Sequence, residues 1–478
     1  VPEDVARGGC QDVVCGAHGA CVDGRCVCDV GYGGEGCDDV DECADGSAAC
    51  DPLVTCTNTP GSYTCGPCPL SHLDVAGDGT ECDLRFNACG IGRFGPKASG
   101  TLDAPIVAPY LPMVDPNTTA GASSDAIDSY DCAPEILETG PEVIYRFVTD
   151  APGTFHAKLK DPVGVDIDIH LIQNPSLEGG HMTGCLARAH ETLTVENLPA
   201  GEYWVVADTW SDGAQEFAGD YTLAFEWTAI GAWNHVEIDP GIVWSRLRLV
   251  LPTGDETVNR ITVEMDQGWD VEPVDHVGCQ RVADVAAGID ALVGINGTFY
   301  SGSCGPLGLL RADGVTKSTN TFTGYVQRTI GWNPGETPTF EWLEPNVDWL
   351  TVSDAIGGYP SLVTDGVGKA EALPDKPVWS DVDLSKNPRS AVGVDDEGRL
   401  VLFTFDGRTA AGDGLTTPDL ASFLEGIGIV DAINLDGGGS TTMVVRGCWL
   451  NDVVNYPSDN KTADHYGDRK VGNGLYVR

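Results

Sequence analysis

The chain has 478 residues, of which 72 are acidic and 27 basic, so its formal net charge at pH 7 is −45. Such a field repels nucleic acids and anionic lipid surfaces, which excludes both as expected partners, and it favours cations such as calcium. Hydrophobic residues make up 42% of the chain, which indicates about three or four folded domains and not an acidic disordered polymer.

The cysteines indicate where the protein works. Of the 18 cysteines, 12 precede residue 83. That density is typical of an oxidising compartment outside the cytoplasm, so we expect a secreted or extracellular protein. No apolar run approaches the roughly 18 residues of a membrane span, so no span is predicted.

The first six cysteines are separated by four, five, four, one and eight residues. Spacing alone permits 15 pairings. A unit this small buries little core, so disulfides must stabilise it. The stretch Cys-Val-Cys-Asp-Val-Gly-Tyr-Gly-Gly-Glu-Gly-Cys resembles an EGF-like domain, which we place at 1–38. The resemblance implies the pairs Cys10–Cys21, Cys15–Cys26 and Cys28–Cys37.

The next six cysteines follow the acidic stretch Asp-Val-Asp-Glu and include Cys-Thr-Asn-Thr-Pro-Gly-Ser-Tyr-Thr-Cys. This pattern resembles a calcium-binding EGF-like domain, placed at 39–84. Calcium is bound by six to eight hard oxygens. The alternative is an acidic turn without metal. The resemblance implies side-chain ligands from Asp39, Glu42 and Asn58, and backbone carbonyl ligands from Val40, Thr59 and Ser62.

The middle region, 85–230, has a loop-like start and then strand patterns between turns. In 165–172, apolar and polar residues alternate with period two, which predicts a half-buried strand with Asp166 and Asp168 on its solvated face. Short strands between Gly, Pro and Asn turns predict an antiparallel β-sandwich with its core at 140–228. The order of motifs resembles the accessory sandwich appended to many secreted bacterial peptidases.

The last region, 231–478, is again rich in strands, with two short helical signals. One is at 281–287, and the other begins at Thr417-Pro418, where an N-cap precedes proline. The second helix leads into the apolar strand 429–433 and then into Asn-Leu-Asp-Gly-Gly-Gly-Ser-Thr-Thr at 434–442. Three consecutive glycines cost backbone entropy, so either the turn needs positive φ or another group approaches the backbone closely.

Several further motifs follow in order: Asn296-Gly297-Thr298-Phe299-Tyr300, Asn387-Pro388-Arg389-Ser390, Phe405-Asp406-Gly407-Arg408, Asn455-Tyr456-Pro457-Ser458-Asp459 and Asp468-Arg469-Lys470-Val471-Gly472-Asn473. With the 434–440 motif, this set resembles the phosphodiester glycosidase family. The resemblance implies hydrolysis of a sugar-1-phosphodiester at the glycosidic C1–O bond. The fold class expected for the whole chain is therefore multidomain and mainly β: two EGF-like modules, an antiparallel sandwich and a C-terminal α+β phosphodiester glycosidase domain.

The residue types suit this chemistry. Arginine binds phosphate oxygens through a bidentate fork, and this chain has few cations to spare. Glycines let backbone N–H groups approach an anion closely. A carboxylate near the anomeric carbon stabilises an oxocarbenium-like transition state, as nucleophile or as base for water. The expected catalytic carboxylates are Asp436 first, then Asp406 and Asp365. The expected substrate-binding residues are Asn296, Gly297, Arg389, Arg408, Asn434, Gly437, Gly438, Gly439, Ser440, Ser458, Arg469 and Asn473.

Plainer interpretations stand beside these. The sequence Asp-Gly-Gly-Gly by itself fits a hairpin turn, and Asp365-Gly366 fits a structural turn. Arg408 also fits a surface position after a turn. Asn296 forms a glycosylation sequon with Thr298, although the family resemblance makes it a buried site residue. No Gly-x-Ser-x-Gly motif indicates a serine hydrolase.

The sequence thus predicts a secreted glycan-processing hydrolase, with structural calcium, no catalytic cofactor and a phosphorylated glycan as substrate. A cell-surface or matrix glycan stays open as a partner of the accessory modules. Two alternatives stay open: a phosphodiesterase that cleaves the P–O bond, and a non-catalytic adhesin that binds glycan. The remaining cysteines require one bridge across the last domain boundary or two free thiols: Cys89, Cys132, Cys185, Cys279, Cys304 and Cys448.

Overall fold

The computed structural model describes residues 10, 13–50, 54–66, 72–74, 80, 82–84, 100–108, 111–251, 254–321, 326–371, 384–409 and 412–478. The chain forms two compact units, Val1–Arg85 and Phe86–Arg478.

The first unit consists of short hairpins, as expected for disulfide-rich modules. Its elements are β1 (Gly19–Val22), β2 (Arg25–Cys28), β3 (Tyr32–Gly33), β4 (Asp38–Asp39), α1 (Glu42–Asp45), β5 (Cys56–Thr59), β6 (Ser62–Cys65), β7 (His72–Asp74) and β8 (Cys82–Leu84). The three disulfides predicted for the first module are confirmed: Cys10–Cys21, Cys15–Cys26 and Cys28–Cys37. The second module contains Cys43–Cys56 and Cys50–Cys65, while Cys68 lies outside the described residues.

The second unit begins with a β-sandwich. A four-stranded sheet with the order β10-β18-β13-β16 faces a six-stranded sheet with the order β11-β15-β14-β17-β12-β9. Aromatic and aliphatic side chains from both sheets form one core between them. The strands are β9 (Ile106–Val107), β10 (Met113–Thr118), β11 (Ser129–Tyr130), β12 (Glu142–Thr149), β13 (Gly153–Lys160), β14 (Ile167–Glu178), β15 (His181–Ala189), β16 (Thr192–Leu198), β17 (Gly201–Thr209) and β18 (Asp220–Ala229).

Two expectations for this region are wrong. The sandwich starts well before 140, since β9, β10 and β11 lie in the stretch expected to be loop. The first half of β14 is buried on both faces, because Asp168 and His170 are 0% exposed like Ile167 and Ile169. The rings of Tyr130 and His170 stack with their centroids 3.6 Å apart. The segment before β12 therefore covers the face of β14 that the sequence pattern predicts to be solvated.

The rest of the second unit is built on three sheets. Their strand orders are β19-β20-β21-β32-β31-β33-β29-β30, β22-β35-β23-β34 and β25-β24-β28-β26-β27. The strands are β19 (Asn234–Asp239), β20 (Ile242–Leu251), β21 (Gly254–Val263), β22 (Val271–Gln280), β23 (Val293–Asn296), β24 (Leu310–Ala312), β25 (Val315–Ser318), β26 (Gln327–Trp332), β27 (Thr339–Leu343), β28 (Asp354–Gly358), β29 (Ser361–Thr364), β30 (Val367–Glu371), β31 (Arg389–Asp395), β32 (Leu400–Phe405), β33 (Ile429–Asn434), β34 (Met443–Val445) and β35 (Val471–Val477).

Helices are few among the described residues of this part. The helices with described bounds are α2 (Val282–Gly288), α3 (Thr417–Gly426) and the 3-10 turns Met265–Gln267 and Gly438–Ser440. Both predicted helices are confirmed, but the N-cap of α3 is Thr416 and not Thr417, because the Thr416 side chain accepts the Asp419 N–H. No helix in the described ranges is long and apolar enough to cross a bilayer.

Both faces of the eight-stranded sheet are buried. One face packs against the four- and five-stranded sheets, and the other packs against α3. Its central strands therefore read as nearly continuous apolar runs. Antiparallel pairing of β33 with β31, and of β31 with β32, brings the end of β33, the start of β31 and the end of β32 to one edge. The polar motifs of the sequence lie at this edge.

Four of the remaining cysteines form one bridge inside each part of the second unit. Cys132 pairs with Cys185 in the sandwich, and Cys279 pairs with Cys304 near the predicted site. Cys448 is also disulfide-bonded, and the described residues include no free cysteine, so the alternative with free thiols fails for them. Cys89 lies outside the described residues.

Candidate active site

The glycine run forms a tight loop after β33. Leu435 N–H donates to the Ser390 carbonyl (2.9 Å), and Gly438 N–H donates to the Pro388 carbonyl (2.9 Å). Gly438 has a φ of 63°, in the left-handed region, and begins a 3-10 turn that ends at Ser440. Hydrogen bonds from neighbouring strands therefore fix the backbone of the loop.

Each of the three glycines lies against a different arginine. A Cβ on Gly437 would lie 3.9 Å from Arg389 Cδ, and one on Gly438 would lie 3.1 Å from Arg408 Nη1. A Cβ on Gly439 would overlap the Arg469 guanidinium, at 2.2 Å from Nη2. The fold thus brings together three arginines that are far apart in sequence.

The three arginines differ in what they can offer to a ligand. Arg389 is 4% exposed, and its Nε and Nη2 donate to the carbonyls of Leu415 (2.9 Å) and Ser385 (2.8 Å). Arg389 is therefore a buried structural support of the loop. Arg408 and Arg469 are exposed or half-exposed, so these two guanidinium groups can meet an anion from solvent.

Both solvent-facing arginines are held in place by neutral or acidic partners. Arg408 donates from Nε to Asn387 Oδ1 (3.1 Å). Arg469 makes a bidentate pair with Asp459, through Nε to Oδ2 (2.8 Å) and Nη2 to Oδ1 (2.7 Å). Asp459 was not among the predicted site residues, although its place one residue after Ser458 could have indicated it.

Asp436 is the carboxylate of this loop. It is half-buried, and its Oδ1 accepts the Gly437 N–H (3.0 Å). Burial raises its pKa above the ordinary value, while hydrogen bonds from Ser440 and Gly437 and the charge of Arg469 act in the opposite direction. A carboxylate in these surroundings can act as a nucleophile or a base in its charged form.

Asn296 locks the loop to the four-stranded sheet. Its Nδ2 donates to the Asp436 carbonyl (2.6 Å), and its Oδ1 accepts from Ser390 Oγ (2.7 Å) and Thr442 N–H (3.1 Å). It is 1% exposed, which agrees with a buried residue and not with a glycosylated one. Next to it, the Gly297 carbonyl accepts the Asp436 N–H (3.1 Å).

Several buried polar atoms around the loop have no hydrogen-bond partner among the described residues. A Cβ on Gly308 would lie 2.3 Å from Thr298 Oγ1 and 3.0 Å from Gln327 Nε2, so glycine leaves room beside these two groups. Buried polar groups without partners are uncommon in proteins and indicate a missing ligand or water. These atoms are Thr298 Oγ1, Gln327 Nε2, Asn434 Oδ1, Thr441 Oγ1, Thr442 Oγ1, Ser458 Oγ and Asn473 Oδ1.

Asp406, expected as a second catalytic carboxylate, is 0% exposed. Its Oδ1 accepts from Asn455 Nδ2 (3.1 Å) and Tyr456 N–H (3.0 Å), and Asn455 also donates to the Thr441 carbonyl (3.2 Å). Burial raises its pKa to about 7. Asp406 therefore lies beneath the site and connects two of its segments.

Asp365 lies at the wrong end of the sheet for catalysis. It is an exposed turn residue with a φ of 50°, followed by Gly366 at 73°. Gly366 N–H donates to the Val430 carbonyl near the start of β33, whereas Asn434 ends that strand. Four strand residues separate the two ends by about 13 Å, so the structural-turn interpretation is the correct one.

Tyr300 is a further site residue that sequence reasoning did not single out. Its hydroxyl lies 3.4 Å from Ser440 Oγ and is hydrogen-bonded to Arg469. A Cβ on Gly472 would lie 2.8 Å from Tyr300 Cβ and 2.2 Å from the carbonyl oxygen of Cys304, so glycine permits this packing. The position of Tyr300 at the end of the Asn-Gly-Thr-Phe-Tyr motif was the available signal.

The predicted calcium ligands of the first unit also come together. Asn58 Nδ2 donates to Asp39 Oδ2 (2.9 Å), and Thr59 Oγ1 donates to the Ser62 carbonyl (2.9 Å). Asn58 Oδ1 and Glu42 Oε2 are buried without a hydrogen-bond partner within the described residues. Oxygens without partners are what a hard cation requires, so this set fits calcium. The N–H of Val40, which follows Asp39 in the chain, donates to the Gly31 carbonyl (3.0 Å).

Three parts of the chain match known protein families. Residues 290–478 match the phosphodiester glycosidase family. Residues 39–82 match the calcium-binding EGF domain, and residues 10–40 match the Teneurin-like EGF domain.

Known relatives match parts of the chain. Human N-acetylglucosamine-1-phosphodiester alpha-N-acetylglucosaminidase is 30% identical over 213 residues, which cover 40% of this chain and 39% of that protein. The SPbeta prophage-derived uncharacterized protein YomE of Bacillus subtilis is 26% identical over 214 residues, covering 41% and 32%. The solved catalytic domain of the zebrafish enzyme is 23% identical, with a TM-score of 0.39, over 52% of this chain and 81% of that one.

The aligned part therefore spans less than two fifths of either curated relative. Within it lie the motifs at 296–300, 387–390, 434–442 and 468–473, which the fold assembles at one edge. The C-terminal part of the chain thus matches the phosphodiester glycosidase family, and EGF-like modules, one of the calcium-binding type, precede that part.

Proposed function

We propose that this protein is an extracellular hydrolase that cleaves the glycosidic C1–O bond of a sugar-1-phosphodiester, releasing free sugar and a phosphomonoester. The observation that carries the proposal is the assembly of Arg408 and Arg469 around the glycines that follow Asp436. In a chain with a net charge of −45, an anionic substrate needs such a local basic site.

The phosphate side of the site is formed by the two solvent-facing arginines. Guanidinium groups bind phosphate oxygens in pairs, and the glycine loop adds close backbone approach. A phosphomonoester is a good leaving group, so charge stabilisation by arginine can replace a dedicated general acid. Arg389 contributes by holding the loop and does not face the ligand.

We assign the sugar side to the polar side chains around the loop. Asn434 Oδ1, Asn473 Oδ1 and Thr298 Oγ1 are acceptors, and Gln327 Nε2 is a donor. A sugar offers hydroxyls and amide groups of both kinds, which are complementary to these side-chain types. Asp436 lies in the loop beside Arg469, where a carboxylate can attack the anomeric carbon or activate water.

The test is hydrolysis of a panel of glycosyl-1-phosphodiesters in water labelled with heavy oxygen. We expect the label on the released sugar. Label on the phosphate would instead show P–O cleavage, and glycan binding without any product would show a non-catalytic adhesin. Either result would overturn the proposal.

A matched pair of variants tests the site itself. Asp436→Asn should lower kcat by at least about a hundredfold, the lower end for a catalytic acid or base. Asp365→Asn makes the same chemical change at the far end of β33 and should retain full activity. Equal activities in the two variants would refute the role of Asp436.

A further inference from the structure

One buried acid joins the β-sandwich to the C-terminal part of the same unit. Glu226 lies on β18 of the sandwich and is 1% exposed. Its Oε1 accepts from Tyr456 OH (2.9 Å) and is bonded to His465 Nε2 (3.0 Å), while Oε2 pairs with Arg246. A single sandwich carboxylate is thus held by three groups that lie outside the sandwich.

Two of these three groups belong to the segment 455–469, which carries one side of the candidate site. Ser458 and Asp459 follow Tyr456 directly, and Asp459 holds Arg469 through two hydrogen bonds of 2.8 and 2.7 Å. The segment is also closed on itself, because His465 Nδ1 lies 3.0 Å from the Asn455 carbonyl. A shift of Tyr456 would therefore be passed to Asp459 and to its arginine.

Aromatic packing closes the junction around Glu226. His156 of β13 stacks on Trp449 with ring centroids 5.5 Å apart, and Trp449 packs on His465 at 4.2 Å. The Arg246 guanidinium lies 4.9 Å from the centre of the Tyr456 ring. Glu226, Arg246 and His465 are buried, so their hydrogen bonds and ion pair act at low dielectric.

Glu226 and Arg246 form the buried ion pair of the junction. Burial raises the pKa of Glu226, but the charge of Arg246 and the bond to His465 outweigh it, so the net pKa is lowered and the group stays a carboxylate. Burial lowers the pKa of His156 to about 4 and also lowers the pKa of His465, while the Glu226 charge acts in the opposite direction on both. Loss of the Glu226 charge would leave Arg246 buried without its counter-ion, which is strongly unfavourable.

We propose that Glu226 is a positioning residue of the active site, through which the β-sandwich holds the 455–469 segment and sets Arg469 against the glycine loop. This inference rests on the proposed function for its kinetic consequences. It makes the sandwich a structural part of the site and not a detachable accessory module. Residues 226 and 246 lie outside the part of the chain that matches the family, 290–478.

The test compares two full-length variants that make the same chemical change. Glu226→Gln removes the charge at the junction. Glu142→Gln removes a carboxylate that is 0% exposed but whose bonded partners, Ser124 and Ala126, belong to the sandwich. Hydrogen exchange of peptides from 455–469 measures the segment without any substrate. The kinetic readout is the pH profile of kcat/KM on a GlcNAc-1-phosphodiester.

We expect Glu226→Gln to speed exchange in 455–469 and to lower kcat/KM about tenfold, as a small misplacement of a binding group does. The acid limb of its pH profile should move to higher pH. The reason is that Arg469 lowers the pKa of Asp436 and a displaced Arg469 would lower it less. Glu142→Gln should change none of these, and Glu226→Asp, which keeps the charge, should recover part of the loss. A merely structural role would not move the acid limb.

Equal exchange in 455–469 and the same acid limb in both glutamine variants would overturn the inference. A wild-type chain that hydrolyses no phosphodiester would overturn the proposed function instead, while the exchange data would still decide whether Glu226 holds the segment. If Glu226→Gln fails to fold, Tyr456→Phe removes a single bond of the junction from the other side and is read by the same two measurements.

Discussion

At the scale of single residues, close approach explains the three glycines better than turn geometry does. Gly438 alone of the three has a positive φ, at 63°. Gly439 has ordinary backbone angles, yet any side chain there would collide with Arg469 and Asp459. The loop is therefore shaped by the groups packed around it.

The first prediction concerns Gly439→Ala. The added methyl would lie 2.1 Å from Asp459 Oδ1 and 2.2 Å from Arg469 Nη2, so the ion pair must move. We expect kcat/KM to fall about tenfold to a hundredfold while the protein stays folded. Gly426→Ala, at a helix end with no atom within 4 Å, is the control and should keep wild-type kinetics. Unchanged kinetics in Gly439→Ala would contradict the loop geometry.

The second prediction concerns the pH dependence of activity. Burial raises the pKa of Asp436, and Arg469 opposes that rise, so the acid limb of kcat/KM should lie above the ordinary aspartate pKa of about 4. In Arg469→Gln the opposing charge is lost and the limb should move higher. Arg399→Gln breaks ion pairs at the 395–399 hairpin and serves as control. Profiles that coincide for wild type and Arg469→Gln would count against this assignment.

At the scale of elements, strand direction decides which predicted residues share the site. The end of β33 meets the start of β31 and the end of β32, so Asp436, Arg389 and Arg408 are neighbours. The hairpin of β29 and β30 turns at the other end, which removes Asp365. Motif order in the sequence cannot distinguish these two ends.

The third prediction concerns calcium in the second EGF-like module. Removing calcium from the full chain with a chelator should lower the unfolding temperature of the first unit, because the oxygens of Asp39, Glu42 and Asn58 would lose their common cation. Hydrolysis should persist, since the candidate active site lies within Phe86–Arg478. Calorimetry with and without calcium measures the shift.

Asn58→Ala should abolish most of the calcium-dependent shift. Asp23→Asn, at a turn of the first module with a φ of 47°, changes an acid outside the site and should preserve it. A shift of equal size in both variants would place the calcium elsewhere.

At the scale of the whole molecule, the charge of −45 is accompanied by carboxyl groups inside the second unit. Burial raises the pKa of Asp406 to about 7, of Glu256 to about 8 and of Glu138 to about 9. Each group binds its proton more tightly in the folded chain than in the unfolded one. The stability that each contributes is present below its ordinary pKa and is lost as pH rises through the folded value.

The fourth prediction follows from this sign. The melting temperature of the second unit should fall between about pH 4 and pH 8. Asp406→Asn removes one of these groups while keeping an acceptor for Asn455 and Tyr456. Its melting temperature relative to wild type should therefore rise from about pH 4 to about pH 7 and then stay level. A constant difference across that range, measured by calorimetry, would contradict the buried titration of Asp406.

Much of the architecture could be predicted from local patterns. Cysteine spacing with the family resemblance gave the first three disulfides, and turn residues and periodicity gave both helices and the main strands. The burial of Asp168 and His170 could not be predicted, because Tyr130, which covers them, lies in an earlier segment that has no periodic pattern. The division into modules at 38, 84 and 230 stays a prediction.

By itself, the sequence predicted the family resemblance, an oxidising compartment and the set of polar motifs, because these depend on residue types at short spacing. Tertiary structure decided which members of that set act together. It turned Arg389 and Asp406 inward, placed Asp365 at the far end of the sheet, and brought Glu226 of the sandwich to the 455–469 segment. The physical reason is that burial and strand pairing join residues that are hundreds of positions apart, and no local pattern records such contacts.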